Sequence, residues 1–310
     1  MRVLVAGATG LAGSAIANAF KSRGQEVVEI NRSIVNLLDL KATTRFLKST
    51  KPYLVVDAAA KVGGIGANNS YPVEFLANNL QIQSNLMQAA HEADVEKFLF
   101  LGSSCIYPRN CPQPIKEEYL LTGPLEPSNS AYAIAKIAGI ELLNSYRKQH
   151  SRRWISLMPT NLYGPRDNFN LQDSHVLPAF IRRFVDAIET NKPSVMLWGS
   201  GTPLREFLHV DDLAHAVVMT SESYDSSMHL NVGTGEDLSI KELALLVASL
   251  TGFKGEIIWD KSKPDGTPRK LLDVSQIKAL GWKPTITLSD GIASTIAWYK
   301  SASTSGEVRK

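Results

Sequence analysis

The first thirty residues restrict the fold more than any other stretch. An apolar run, Arg2 to Ala6, meets Gly7-Ala8-Thr9-Gly10-Leu11-Ala12-Gly13. A helical pattern then fits Leu11 to Arg23 and closes at Gly24, and a second strand-like run covers Glu26 to Ile30. Strand, glycine turn, helix, strand opens a parallel α/β unit, because parallel partners need a helical crossover. The glycines are spaced Gly-x-x-Gly-x-x-Gly, one position longer between the first two than the usual dinucleotide form. Backbone amides at such a helix start can hold a pyrophosphate. Gly7, Ala8, Thr9, Gly10, Leu11, Ala12 and Gly13 are therefore expected to bind a dinucleotide. No Gly-Lys-Ser or Gly-Lys-Thr follows, which sets aside a phosphate-transfer loop.

The alternation continues. Strands fit Tyr53 to Asp57, Lys97 to Gly102 and Trp154 to Met158. Helices fit about Leu38 to Ser49, Pro72 to Ala93, and the segment carrying Tyr132 as far as Lys148. This predicts a doubly wound parallel sheet of the Rossmann type. After Gly164 the pattern loosens into shorter strands near Val195–Trp198, Glu206–Leu208 and His229–Val232. Helices there fit Val176 to Glu189, a start near Asp211, Ile240 to Leu250, and Leu288 to Tyr299. The expected organisation is a dinucleotide-binding domain over residues 1–165, with some later segments returning to it. A smaller, interleaved C-terminal substrate lobe takes 166–300, and a frayed tail takes 301–310.

Two details bear on the cofactor. An acid at the end of the second strand would accept from a ribose 2′-hydroxyl in an NAD protein. The strand here ends Val28-Glu29-Ile30-Asn31-Arg32, and Arg32 lies where a 2′-phosphate would sit. That favours NADP(H), with Glu29 the competing acid inside the strand. Farther on, Ala58-Ala59-Ala60-Lys61-Val62-Gly63-Gly64 follows the third strand. Its small residues either let the ribose and nicotinamide side approach the backbone or simply pack.

The reactive groups lie between Leu101 and Lys136. The fourth strand delivers Ser103 at its carboxyl end, where open parallel sheets place ligands, and Cys105 follows two residues later. Tyr132 and Lys136 are four apart, so a helix carries both on one face. A phenol has a pKa of about 10, and a nearby ammonium favours its anion, so Lys136 is expected to depress Tyr132.

The bulk numbers exclude several classes. The net charge of +3 over 310 residues, with no basic run interleaved with aromatics, argues against nucleic-acid binding. The 2 cysteines, Cys105 and Cys111, are too few for a secreted disulfide scaffold. The N-terminal apolar run is too short for a signal-peptide core, and no stretch is long enough to span a bilayer. A reduced, cytoplasmic protein without a metal site is expected.

Six stretches extend the reading: Ala58 to Asn69, Phe100 to Pro108, Tyr132 to Gly139, Met158 to Pro165, Trp198 to Asp212 and Lys263 to Asp273. Together with the glycine turn they resemble the extended short-chain dehydrogenase/reductases that act on nucleotide sugars. The more specific pieces are Ser-Ser-Cys, Leu-Arg-Glu-Phe-Leu-His and Pro-Asp-Gly-Thr-Pro-Arg-Lys. They resemble members that invert both carbons flanking a sugar 4-ketone and then reduce the ketone.

The resemblance implies a GDP-sugar substrate, NADP(H) and a homodimer. It implies Tyr132 as the final acid, Lys136 on the cofactor ribose, Ser103 on the 4-oxygen, and Cys105 with His175 as the epimerisation pair. Arg32, Ala59, Lys136, Pro159, Asn161, Leu162 and His175 would complete the cofactor site. Asn161, Arg183, Trp198, Arg205, Asp265 and Lys270 would receive the substrate. Some members carry a basic residue where Ala8 and Thr9 stand, which leaves Arg32 more of the 2′-phosphate. A 4,6-dehydratase would carry an acid where Cys105-Ile106 stands, and a simple 4-epimerase would not need the Cys/His pair. A non-catalytic dinucleotide sensor would have no use for Tyr132 and Lys136.

Overall fold

A computed structural model describes residues 1–263 and 265–308. Pro264, in one of the resembling stretches, and the end of the tail lie outside the described residues. The first half runs β1 (Arg2–Ala6), α1 (Leu11–Ser22), β2 (Glu26–Ile30), α2 (Leu40–Thr50), β3 (Leu54–Asp57), α3 (Ile65–Ser70), α4 (Pro72–Glu92), β4 (Lys97–Leu101), α5 (Ser130–His150) and β5 (Ile155–Pro159). Next come β6 (Asn161–Tyr163), α6 (Val176–Glu189), β7 (Ser194–Trp198), β8 (Leu204–Arg205), β9 (Phe207–His209), α7 (Val210–Ser223) and β10 (Leu230–Val232). The chain ends with β11 (Leu238–Ser239), α8 (Ile240–Thr251), β12 (Glu256–Asp260), β13 (Arg269–Lys270), α9 (Ser275–Ala279) and α10 (Leu288–Ser305).

Six strands form one parallel sheet in the order β10-β5-β4-β3-β1-β2. The chain reverses direction across the sheet between β1 and β3, so a crevice opens beyond their carboxyl ends. β1, β3, β4 and β5 read as continuous apolar runs because helices cover both faces. Val3, Val56, Leu99 and Leu157 are fully buried.

Two hydrophobic clusters result. The first holds the sheet and its helices, and it also draws in Leu213 and Val217 of α7, Leu230 and Val232 of β10, and Ile277 of α9. The second gathers Phe180 and Phe184 of α6, Leu243 and Val247 of α8, and Ile292 and Tyr299 of α10.

Three local expectations are corrected. The last helix does not end at Tyr299, and residues 301–305 are helical rather than frayed. Ala302 is buried, and Gly306 with φ +76° closes the helix, its N–H donating to the Ala302 carbonyl. The helix expected to start near Asp211, with that aspartate as its N-cap, starts at Val210 and is not capped by Asp211. His209 caps it, its Nδ1 accepting from the Asp211 N–H at 3.3 Å. The single strand expected over Glu206–Leu208 is two, β8 and β9, which join different sheets.

Candidate active site

Beyond β1, Gly7 has φ +78°, and a Cβ there would stand 2.6 Å from the Ala58 carbonyl oxygen and 2.9 Å from Ala59 Cα. A Cβ on Gly13 would collide with the Gly7 carbonyl. Backbone therefore approaches backbone where two glycines remove the obstruction. Gly10 precedes α1 as its N-cap residue, so the helix has no side-chain cap, and its first turn carries no acid. Its leading N–H groups and positive dipole end are left for an anion. An uncapped helix start over a cradle that side chains would fill fits a dinucleotide pyrophosphate. Thr9 is exposed and Ala8 buried. Arg32 is exposed just past β2 and makes no ion pair among the described residues. Glu29 is bridged by Lys21 at 2.5 Å. Half-buried Ala59 lies against the turn.

Ser103 follows β4 and caps the short 3-10 turn Ser104–Ile106, its Oγ accepting from the Cys105 N–H at 3.4 Å. That turn buries Cys105 to 6% exposure. Burial pushes the Cys105 thiol up, and the Lys270 ammonium is the strongest charge opposing this, followed by Ser103 and Lys136. Tyr132 stands in the first turn of α5, its ring edge-on to Phe75 at 6.2 Å. Burial pushes its phenol well above the ordinary value. Cys105 and Asp57 act in the same direction, and the Ser103 hydroxyl acts against them. Ser103, Cys105 and Tyr132 thus stand close enough to influence one another.

Lys136 departs from expectation. Its Nζ donates to the Leu101 carbonyl at 2.9 Å and lies 4.6 Å from the Phe100 ring centroid and 5.9 Å from that of Tyr132. The charges that act on it are those of Asp57 and Cys105, and burial leaves the Tyr132 phenol raised rather than depressed. Asp57, at the end of β3, is the residue that sequence reasoning passes over. It is 1% exposed, accepts from the Ala59 N–H at 3.1 Å through Oδ1, and leaves Oδ2 without a hydrogen-bond partner among the described residues. Burial pushes its carboxyl up to about 6, against the pull of Lys136. The available signal is an acid closing an otherwise apolar strand.

His175 occupies the N-cap position of α6, and its side chain makes no cap hydrogen bond. The residue is exposed, and the neighbouring protein shifts its imidazole below the ordinary value by partial desolvation. Pro159 ends β5. Asn161 and Leu162 lie in β6, and the Asn161 amide donates to the Glu206 carbonyl at 2.7 Å, which leaves its own carbonyl to accept from a ligand.

The other expected substrate residues fall into two groups. Parallel pairing of β13 with β8 sets Lys270 beside Arg205. Both are desolvated cations, and Glu126 attracts both. Glu126, another residue sequence reasoning misses, pairs with Arg109 at 3.2 Å and accepts from Thr267 at 3.3 Å. No local pattern announces it, because its partners come from distant segments. Trp198, 52% exposed, lies under Lys263 Nζ at 5.5 Å from its ring centroid. Asp265 accepts from Ser200 N–H at 2.7 Å and Ser200 Oγ at 2.8 Å, so it holds the turn after Trp198. Arg183 donates to the Met196 carbonyl at 3.4 Å across that same strand. Among the described residues no group of three or more His, Cys, Asp or Glu could hold a metal, and no helix is long and apolar enough to cross a membrane.

Residues 3–233 match the model of the NAD dependent epimerase/dehydratase family. The chain is 52% identical to the GDP-L-fucose synthase of Escherichia coli (strain K12), over 96% of each chain. Among solved structures, a GDP-6-OMe-4-keto-L-xylo-heptose reductase from Campylobacter jejuni superposes with TM-score 0.91 at 36% identity, over 97% of each chain. A GDP-L-fucose synthetase from Naegleria fowleri bound to NADP gives TM-score 0.91 at 28% identity, over 100% of this chain and 96% of that one.

Proposed function

The chain belongs to the NAD dependent epimerase/dehydratase family, and on that premise we propose a two-step epimerase and reductase. It inverts carbons 3 and 5 of GDP-4-keto-6-deoxy-D-mannose and reduces the 4-ketone to give GDP-L-fucose, using NADPH. The relatives' activities and the NADP held by the Naegleria fowleri structure support this. One observation carries it: a buried thiol, Cys105, in the turn that Ser103 caps at the end of β4, stands near enough to Tyr132 of α5 for both to act on its phenol.

The 4-ketone acidifies the hydrogens on both neighbouring carbons, so inversion needs a base on one face and an acid on the other. Cys105 Sγ and the His175 imidazole fill those two roles. The Lys270 ammonium favours the thiolate that a base requires. Ser103 Oγ donates to the 4-oxygen as negative charge develops there. The nicotinamide, when bound, supplies the hydride for the ketone. Tyr132, kept protonated by burial, delivers its phenolic proton to the new alkoxide. Lys136 holds the cofactor ribose.

The glycine turn, Arg32, Ala59, Pro159, Asn161, Leu162 and His175 complete the cofactor site. The cation pair Arg205 and Lys270, with Arg183, receives the diphosphate. Trp198, Asp265 and Asn161 line the nucleotide and sugar. Residues 166–300 form most of this substrate lobe, and residues 1–165 most of the cofactor domain. The protein works as a cytoplasmic homodimer through α4 and α5, whose outer faces expose Val73 and Ile134.

Purified protein given GDP-4-keto-6-deoxy-mannose should oxidise NADPH, read by its absorbance, and yield GDP-L-fucose. Turnover of a different keto sugar with none of this one would overturn the assignment.

A further inference from the structure

The glycine segment after β3 takes no part in the chemistry above, and its neighbours give it one. A Cβ on Gly64 would stand 2.5 Å from the Ser174 carbonyl oxygen. One on Gly63 would stand 3.3 Å from the Asp173 carbonyl, and one on Gly66 3.4 Å from the Gln172 carbonyl. The Gly64 N–H donates to that Asp173 carbonyl at 2.8 Å. Asn68 pins the turn, its Nδ2 donating to the carbonyls of Gly63 and Gly64 at 2.9 and 3.0 Å. The residue after Ser174 is His175, and beyond it α6 is anchored by Phe180 and Phe184 in the second cluster. His175 is therefore suspended between a backbone seat made of glycine and a helix fixed in a core.

We infer that Gly64 is a positioning residue for His175. The seat sets the height of the 172–174 segment, and with it the reach of the imidazole into the cleft. Gly64 has φ −68°, which any residue adopts, so alanine acts there through volume alone. Ser174 must retreat by about 1 Å to restore ordinary contact, and such a misplacement of a proton-transferring group costs on the order of a hundredfold. Ser103, Tyr132 and the glycine turn of α1 sit on other elements and keep their places.

The inference rests on the epimerase reading, and the test separates the two. Deuterium uptake from solvent at the two carbons flanking the ketone is followed by NMR. Oxidation of GDP-L-fucose by saturating NADP+ reports the hydride step in reverse. In Gly64→Ala, uptake at one or both carbons should fall about a hundredfold while the hydride step stays within about threefold. Gly66→Ala, whose Cβ meets only ordinary contact, should retain both rates. Asn68→Ala loosens the seat without adding volume and should show the same split if Gly64→Ala does not fold. Equal loss of both rates, or loss of neither, in a folded variant overturns the seat. A wild-type chain with neither rate overturns the activity itself, and the inference with it.

Discussion

At neutral pH burial keeps the Cys105 thiol protonated, and the exposed His175, shifted down from 6.5, is neutral. An epimerase must move each group out of its resting state once per inversion, and at Cys105 the charge that helps most is Lys270. Replacing Lys270 by Met should push the thiol higher, so the rise of deuterium uptake with pH should move to higher pH. An unmoved profile would detach Lys270 from the thiol. Cys105→Ser should slow uptake about a hundredfold or more, the usual scale for loss of an acid–base group. Tyr132→Phe should instead suppress NADPH oxidation and leave uptake nearly intact. Asp57 makes a separate prediction. Its native carboxyl titrates at about 6, above the ordinary 3.8, so the native state binds its proton more tightly than the unfolded state. This group therefore lowers stability as pH rises from 3.8 to about 6, by roughly 3 kcal/mol, and the penalty is constant above that. Asp57→Asn should match wild type in melting temperature near pH 4 and exceed it at pH 7. A gap that does not widen with pH would count against the burial account.

The β1–α1–β2 unit is legible in the amino-acid sequence because its information is local. Gly13 answers to the Gly7 carbonyl within the same turn, and the apolar runs of β3, β4 and β5 announce their own burial; Gly7 answers to Ala58 and Ala59 beyond β3, and only its place in the strand–turn–helix pattern announces it. Gly13→Ala should cost most of the NADPH affinity, since its Cβ meets the Gly7 carbonyl. Binding by fluorescence titration is the readout, and near-native affinity would contradict the cradle. Arg32→Ala should raise the KM for NADPH about tenfold or more and leave that for NADH unchanged, as expected for a single guanidinium on a phosphate. Other elements are illegible because their reasons are remote. β6 is three residues that exist as a strand only because Asn161 pairs with Phe207 and Tyr163 with His209. The small residues around Gly63 and Gly64 leave cofactor approach and simple packing equally open, because the segment they press on lies more than a hundred residues later. The Lys136 side chain shares a helix face with Tyr132, as its spacing predicts, but a carbonyl and a carboxyl elsewhere decide where its charge points.

At the scale of the molecule, the two hydrophobic clusters do not divide the chain at one point. α7 packs on α1, β10 pairs with β5, and Ile277 and Trp282 enter the first cluster. A fragment ending at residue 165 would leave the α7-facing side of α1 and one edge of β5 exposed. It should be insoluble or bind NADPH at least an order of magnitude more weakly than the whole chain. A well-folded fragment with native affinity would show that the returning segments are dispensable.

The late arrival of β10 also matters during synthesis. β5 is complete at Pro159, but its outer partner ends at Val232, about seventy residues later on the ribosome. At roughly 5–20 residues per second the nascent chain carries an unpaired, apolar sheet edge for several seconds. Yield in a foreign host should therefore respond to elongation speed and chaperone supply through codons 160 to 232, even where the finished protein's melting temperature is unchanged.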